Sequence, residues 1–165
     1  MVTYKGIEVN PDQIKAINNL RTPRNPKEVQ KLTGMAAALN RFISRSVDRC
    51  KPFFLLINKW KNFEWTEECA KAFQQLKDYL TRPLIMSSPE PDEVLFAYIT
   101  VALYAVSLVL IRVDNGIHWP VYYVSKSLHE IEMRYLPLDK AILAVVLGTR
   151  KLPYYFQAHT VVVLT

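Results

Sequence analysis

The spacing of the apolar residues changes once along this chain, and that change limits the fold more than any other feature. From residue 11 to about 80 the large apolar side chains recur every three or four positions, the spacing of helices with one buried face. From residue 93 onward they crowd into β-branched and aromatic runs, interrupted by one long helical stretch. Between the two, Arg82-Pro83 and Ser87-Ser88-Pro89-Glu90-Pro91-Asp92 form a turn-rich linker. The fold class is therefore α/β in the α+β sense, a helical segment followed by a mixed strand-and-helix segment. A chain of 165 residues can bury enough apolar surface to fold without disulfides or a structural metal.

In the first segment, Tyr4-Lys5-Gly6 reads as a hairpin turn. Asn10-Pro11-Asp12 starts a helix that runs to about Leu20. Asn25-Pro26-Lys27-Glu28 is a stronger start. Asn25 caps, Pro26 suits the first helical position, and Glu28 sits where a capping-box carboxylate belongs. Val29, Leu32, Ala36, Leu39 and Phe42–Ile43 then predict one buried stripe. A third helix is expected over Val47 to Asn58, with Pro52 near its start or at a kink. In the fourth, Thr66 caps, Glu67 and Glu68 complement the positive end, and Ala70, Phe73, Leu76 and Leu80 line the buried face.

In the second segment, strands are expected over Val94–Val101, Ala105–Val113 and Ile117–Ser125. The turn Asp114-Asn115-Gly116 joins the last two, because Asn and Gly accept positive φ. Pro137–Lys151 reads as an apolar helix and Thr160–Thr165 as a final strand, giving the order β-β-β-α-β. The chain stops inside that strand, as a fragment would.

Composition narrows the function. The net charge is +6, but residues 1–82 hold 15 basic and 8 acidic side chains, against 6 and 7 in residues 83–165. The basic half is a candidate surface for a polyanion; the same pattern fits a solvated helix face. Two cysteines, Cys50 and Cys69, make neither a disulfide framework nor a Cys-rich zinc site, and read as reduced thiols of an intracellular protein. His118, His129 and His159 are not spaced as a metal cluster, and no nucleophile triad is recognisable. No run approaches the length of a membrane span and no signal peptide is evident, so a membrane is not an expected partner.

The candidate binding residues lie around the second helix. Lys27 and Lys31 are four apart on one face; Arg41 and Arg45 repeat the spacing, Arg49 follows, and Arg21 and Arg24 flank the capping loop. Such intervals can follow a phosphate backbone. Gln30 and Gly34 share the face, and a mid-helix glycine costs about 1 kcal/mol relative to alanine. Its use is either close packing of another helix or close approach of a duplex. Ala36, Ala37 and Ala38 keep the neighbouring surface small. Of the aromatic set Trp119, Tyr122, Tyr123, Tyr154, Tyr155 and Phe156, core packing is expected for all but Tyr154 or Tyr155, one of which can stack on a base.

Three stretches carry a family likeness: Gly6-Ile7-Glu8-Val9-Asn10-Pro11-Asp12 with Thr22-Pro23-Arg24-Asn25-Pro26-Lys27-Glu28-Val29-Gln30-Lys31-Leu32-Thr33-Gly34; Phe63-Glu64-Trp65-Thr66-Glu67-Glu68-Cys69 with Ala72-Phe73; and Pro120-Val121-Tyr122-Tyr123-Val124-Ser125-Lys126-Ser127-Leu128 with Arg134-Tyr135. They resemble the reverse transcriptase and RNase H-like region of gypsy-type LTR retrotransposons, most nearly the pol polyproteins of plant elements. The resemblance implies that residues 1–10 end a polymerase palm, 11–82 form the helical thumb and connecting helix, and 83–165 form most of an RNase H-like domain. It implies that Gln30-Lys31-Leu32-Thr33-Gly34 tracks the minor groove of a primer–template, with Gln30 bonding the groove edge and Gly34 admitting the backbone. Ala38 departs from the aromatic residue usual in relatives.

RNase H chemistry needs carboxylates to hold two Mg²⁺ ions. The resemblance places the first at Thr100, aligned on Ala105–Leu110, and the second at Ala141, just before Ile142-Leu143-Ala144-Val145, and no Asp or Glu occurs from Leu95 through Arg112. Asp139 is two residues from Ala141, about 200° around the helix. The resemblance therefore implies a decayed, connection-type domain, with Mg²⁺ expected only in the full polymerase or nuclease. The implied partners are an RNA/DNA hybrid or primer–template and the other pol modules: palm, downstream RNase H and integrase. The implied location is a cytoplasmic virus-like particle or the nucleus. The alternatives are an active metal-dependent RNase H and a domesticated interaction module.

Overall fold

The computed structural model describes the backbone of residues 2–3 and all of residues 6–59 and 61–165. Two cores are visible, one helical and one built on a sheet. In the first, α1 (Pro11–Asn18), α2 (Pro26–Ala38), α3 (Ser46–Ile57) and α4 (Glu67–Leu80) enclose Ile17, Val29, Leu32, Leu39, Ile43, Phe53, Leu76 and Leu80, all essentially inaccessible to solvent. Phe53 stacks on Trp65, with centroids 5.9 Å apart, and both rings meet Phe73 edge-on.

Three of these four helices begin at the capping residues that the sequence predicts, whereas α3 starts after Arg45 without a side-chain cap. Asn10 accepts from Asp12 N–H at 2.9 Å and Asn25 from Glu28 N–H at 2.9 Å, with Pro11 and Pro26 at the first helical positions. Thr66 accepts from Cys69 N–H at 3.3 Å. The expected face of α4 needs one correction. Cys69, Phe73, Leu76 and Leu80 point inward, whereas Ala70 is exposed, one residue and about 100° round from that stripe. A second correction concerns Pro52, which lies in the interior of α3 without ending it. Cys50, Phe53 and Leu56 on the buried side hold the helix through the missing N–H, and the Pro52 carbonyl accepts the Cys69 thiol at 3.7 Å. The stripe expected on α2 is buried as far as Leu39 and Ile43, but the helix that carries it stops short of them. The helix ends at Ala38, and Asn40–Phe42 tighten into a 3-10 turn that lays Ile43 into the core.

The second core rests on a four-stranded sheet of β4 (Leu95–Val101), β5 (Ala105–Asp114), β6 (Ile117–Ser127) and β7 (Val161–Leu164), in the spatial order β6-β5-β4-β7. The first three strands form an antiparallel meander, and β7 adds parallel to β4. The turn between β5 and β6 uses positive φ at Asn115 (49°) and Gly116 (76°), as Asn-Gly predicts. A register shift opposite Leu110/Ile111 leaves Val121 as an extra, fully buried residue. The crossover from β6 to β7 runs through α5 (Glu130–Met133), α6 (Pro137–Lys151) and α7 (Pro153–Ala158), so the expected β-β-β-α-β order holds with two short helices added.

A smaller sheet precedes this one. β1 (Val2–Thr3) pairs with β2 (Gly6–Glu8), which pairs with β3 (Ile85–Met86). The expected turn residues Tyr4 and Lys5 lie outside the described residues. Strand β3 falls inside the stretch that reads as linker. Its Met86 is buried, and the next residue, Ser87, donates its N–H to the Pro120 carbonyl of β6 at 2.8 Å. The linker is thus pinned to both sheets.

Helix α6 lies close on β5 because Gly148 has no side chain. A Cβ there would stand 2.9 Å from Leu108 Cδ1 and 3.4 Å from the Phe156 ring. We expect Gly148→Leu to lower stability by about 1–3 kcal/mol, the range for overpacking a filled core. Urea unfolding monitored by circular dichroism measures it.

Candidate nucleic-acid interface

Helix α2 has two unlike sides. Val29, Leu32 and Ala36 are buried against α1 and α3. On the other side Lys27, Gln30, Lys31, Gly34, Ala37 and Ala38 are all exposed. Their spacing sets them in one longitudinal stripe. The stripe is oriented by the cap, where Glu28 reaches past Asn25 to accept the Arg24 N–H at 2.7 Å. A Cβ built at Gly34 meets no atom within 4 Å. No helix of the described residues packs there, so this glycine is not explained by close packing inside the chain. What remains is a smooth, uncrowded helix backbone flanked by two lysines.

Of the arginines that repeat this spacing, Arg41 and Arg49 turn inward and Arg45 stays exposed. Arg41 sits in the 3-10 turn, not on α2, and is half-buried at the junction of the two cores. Its guanidinium lies 4.6 Å from the centroid of Tyr122 on β6, and Nη2 donates to the Tyr155 hydroxyl at 3.4 Å. Its Nε is buried with no hydrogen-bond partner. Arg49 also turns inward. It donates from Nε to the Ser44 carbonyl at 2.8 Å and from Nη2 to Ser44 Oγ at 3.2 Å, and covers the Tyr79 ring at 4.3 Å. Arg45 is exposed, with left-handed backbone (φ 51°), and pairs with Asp48 at 3.0 Å. An exposed pair of this kind is worth little and leaves the guanidinium free to exchange partners.

Tyr79 ties this region together. Its hydroxyl donates to the Phe42 carbonyl at 3.0 Å and accepts the Ser44 N–H at 3.1 Å. Beside it, burial raises the Tyr123 hydroxyl above its ordinary pKa, Tyr79 adds to the rise, and Arg49 opposes it. Across the same junction Val47 N–H donates to Ser125 Oγ at 3.4 Å, and Lys51 Nζ sits 3.1 Å from the centroid of Tyr104. These partners are far apart in sequence, and no local pattern announces them.

Of the aromatic residues, Tyr155 packs edge-on against Tyr122, 6.4 Å between centroids, whereas Tyr154 is 83% exposed. The structure thus separates the two tyrosines that sequence leaves equivalent. Trp119, expected in the core, lies at the exposed end of β6. Both cysteines are free and buried, and burial pushes the Cys50 thiol up to about 11, with Arg49 opposing. Neither is placed for thiolate chemistry.

Thr100 stands in β4 opposite Ser107, and Ala141 in α6 is half-buried. Asp139 lies on the outer side of α6, among Tyr135, Ile142, Leu143 and Val146. Among the described residues no group of three or more His, Cys, Asp or Glu side chains comes together.

Comparison with known proteins adds to this geometry. Residues 65–163 match the family described as an RNase H-like domain found in reverse transcriptase. Over 94% of its length the chain is 28% identical to the retrovirus-related Pol polyprotein from transposon 297 of Drosophila melanogaster, of which it spans 14%. It is 22% identical to the transposon Tf2-3 polyprotein of Schizosaccharomyces pombe, of which it spans 12%. Two solved structures of foamy viral protease-reverse transcriptase, one with double-stranded DNA and one with RNA/DNA hybrid, superpose over 98% of this chain with TM-scores of 0.81 and 0.80 at 19% identity. The chain covers 29% and 22% of those two proteins. At that identity they establish the fold, mixed α/β and RNase H-like in its sheet.

The two classes of cation separate by stability. Arg41→Ala removes a packed guanidinium and its cation–π contact, and should cost about 1–2 kcal/mol. Lys27→Ala and Lys31→Ala should stay within about 0.5 kcal/mol of the parent. Thermal and urea unfolding of the three variants test the assignment.

Proposed function

Because this chain belongs to the RNase H-like domain family found in reverse transcriptase, we propose that it is a segment of a retrotransposon pol polyprotein that grips a nucleic-acid duplex and joins the polymerase to modules downstream. The observation that carries this reading is the open stripe on α2: an uncrowded backbone at Gly34, Gln30 one turn before it, and Lys27 and Lys31 alongside. The lysines reach phosphates of one strand, Gln30 bonds base edges in the groove, and Gly34 lets the helix approach the sugars. Arg45 adds a phosphate contact, and Tyr154 a stacking surface. Arg41 serves the site indirectly, by seating the 3-10 turn against β6.

The finer assignments belong to the same proposal. Residues 1–10 end the palm, 11–82 are the thumb and connecting helix, and 83–165 are a connection-type domain of a gypsy-type element of plant origin. The partners are an RNA/DNA hybrid or primer–template together with palm, downstream RNase H and integrase, in a virus-like particle or the nucleus. The basic excess of residues 1–82 supports the placement of the grip in the helical half.

A two-metal nuclease centre does not fit the residues present. Thr100 and Ala141 occupy the positions where carboxylates would hold Mg²⁺, and a hydroxyl and a methyl group cannot replace two carboxylates. The domain therefore serves as a scaffold, and cleavage belongs to another module.

Two experiments test this. Lys27→Ala with Lys31→Ala should weaken binding to an RNA/DNA hybrid and flatten the plot of log K against log salt by about 1.8, from the slope of about 0.9 per phosphate contact. Gly34→Leu should weaken binding at unchanged melting temperature; unchanged affinity in both variants would remove the stripe from the interface. Incubated with labelled hybrid in Mg²⁺ or Mn²⁺, the folded chain should leave the RNA intact. Metal-dependent cleavage would mean that ligands other than the expected pair form a centre.

A further inference from the structure

Helix α6 exposes large apolar side chains on the side turned away from the sheet. Its inner stripe, Lys140, Ala144 and Gly148, packs on the sheet. On the opposite side Ile142 is 54% exposed and Val146 37%, with Leu138 exposed beside them. Tyr135, Asp139, Ile142, Leu143 and Val146 border a shallow cavity of about 340 Å³ on this outer face. A solvated helix carries polar residues at such positions, and a contiguous exposed apolar patch marks an interaction surface.

The charges at the two ends of the patch say what covers it. Asp139 and Arg150 are both exposed, and eleven residues along an α-helix return to within about 20° of the starting direction. They therefore close the two ends of the stripe that contains Ile142 and Val146. Among the described residues neither forms an ion pair. We propose that α6 packs antiparallel against α6 of a second copy of this chain, so that Asp139 of each copy meets Arg150 of the other across Ile142 and Val146. The geometry closes on itself. Positions 142 and 146 are symmetric about 144, and 139 and 150 about a point half a residue further on, so one two-fold axis serves both pairs. Such an isologous contact uses the same patch twice. A partner helix of a single charge sign would leave one end of the stripe facing a like charge; a second copy, reversed, satisfies both ends. One helix face per copy is smaller than the roughly 800 Å² per partner of a standard interface, so the pairing belongs with the weak, transient contacts.

Sedimentation velocity on the 165-residue chain without nucleic acid tests this, and so does not depend on the duplex-binding reading. From about 1 to 300 μM the parent should pass from monomer to dimer, as expected of a small interface. Ile142→Glu, at an exposed position, should raise the dissociation constant at least about tenfold while the circular dichroism melt stays unchanged. Asp139→Arg and Arg150→Asp should each weaken association, and the double reversal should restore it, because the pair re-forms with its signs exchanged. A parent that stays monomeric to about 300 μM overturns the proposal. So does a dimer indifferent to Ile142→Glu, or a double reversal as weak as its single variants.

Discussion

The arrangement of the molecule depends on how the 3-10 turn at Asn40–Phe42 is held. One phenol, Tyr79 from α4, satisfies two backbone groups of that turn and its exit, the Phe42 carbonyl and the Ser44 N–H. Backbone groups of an irregular segment beside a core must find partners, and leaving one unmet costs about 1–3 kcal/mol. With the turn fixed, Ile43 enters the helical core, Arg41 is aimed at Tyr122, and α3 starts in register with Ser125. The open stripe of α2 ends where the turn begins. Its direction relative to the sheet is thus set by a hydroxyl on a different helix.

Arg41 and Lys27 show how burial sorts like charges into unlike roles. Both are basic and both fall near the same helix in sequence. Lys27 sits on the first turn of α2 with its ammonium in water. Arg41 lies beyond the helix end, where its guanidinium is flat enough to lie between two tyrosines. The net positive charge of the helical half therefore overstates the charge available to a polyanion. Arg49 is likewise committed to Ser44 and the Tyr79 ring.

Most of the local architecture was legible in the residues. Asn25-Pro26, Thr66 and Asn115-Gly116 each specify a helix start or a turn through their own hydrogen bonds or φ preference, and each stands where that chemistry places it. The exposed stripe at Lys27, Gln30, Lys31 and Gly34 was legible for the same reason, since helical spacing alone determines which residues share a side. The errors fell where tertiary contact decides. Periodicity carried α2 past Ala38, because it does not register the pull of Tyr79 on Phe42 and Ser44. The linker hid a two-residue strand, because β3 exists only by pairing with β2. That positions 100 and 141 hold a threonine and an alanine, and not carboxylates, is read from residue type and needs no coordinates.

One edge of β4 is covered only by β7, and this bears on how the chain acquires its shape. His159, just before β7, donates from Nδ1 to the Glu93 carbonyl at 2.8 Å across 66 residues of chain. The parallel pairing of β4 with β7 spans the same interval, so its closure entropy falls due before any contact rewards it. The helical half, by contrast, joins elements that follow one another closely. On a ribosome, where the N-terminal part emerges first, α1 to α4 can pack while β4, β5 and β6 form only an open meander. The central strand β4 then keeps one bare edge until β7 is synthesised. During that interval it is the part of the nascent chain most exposed to pairing with the wrong strand.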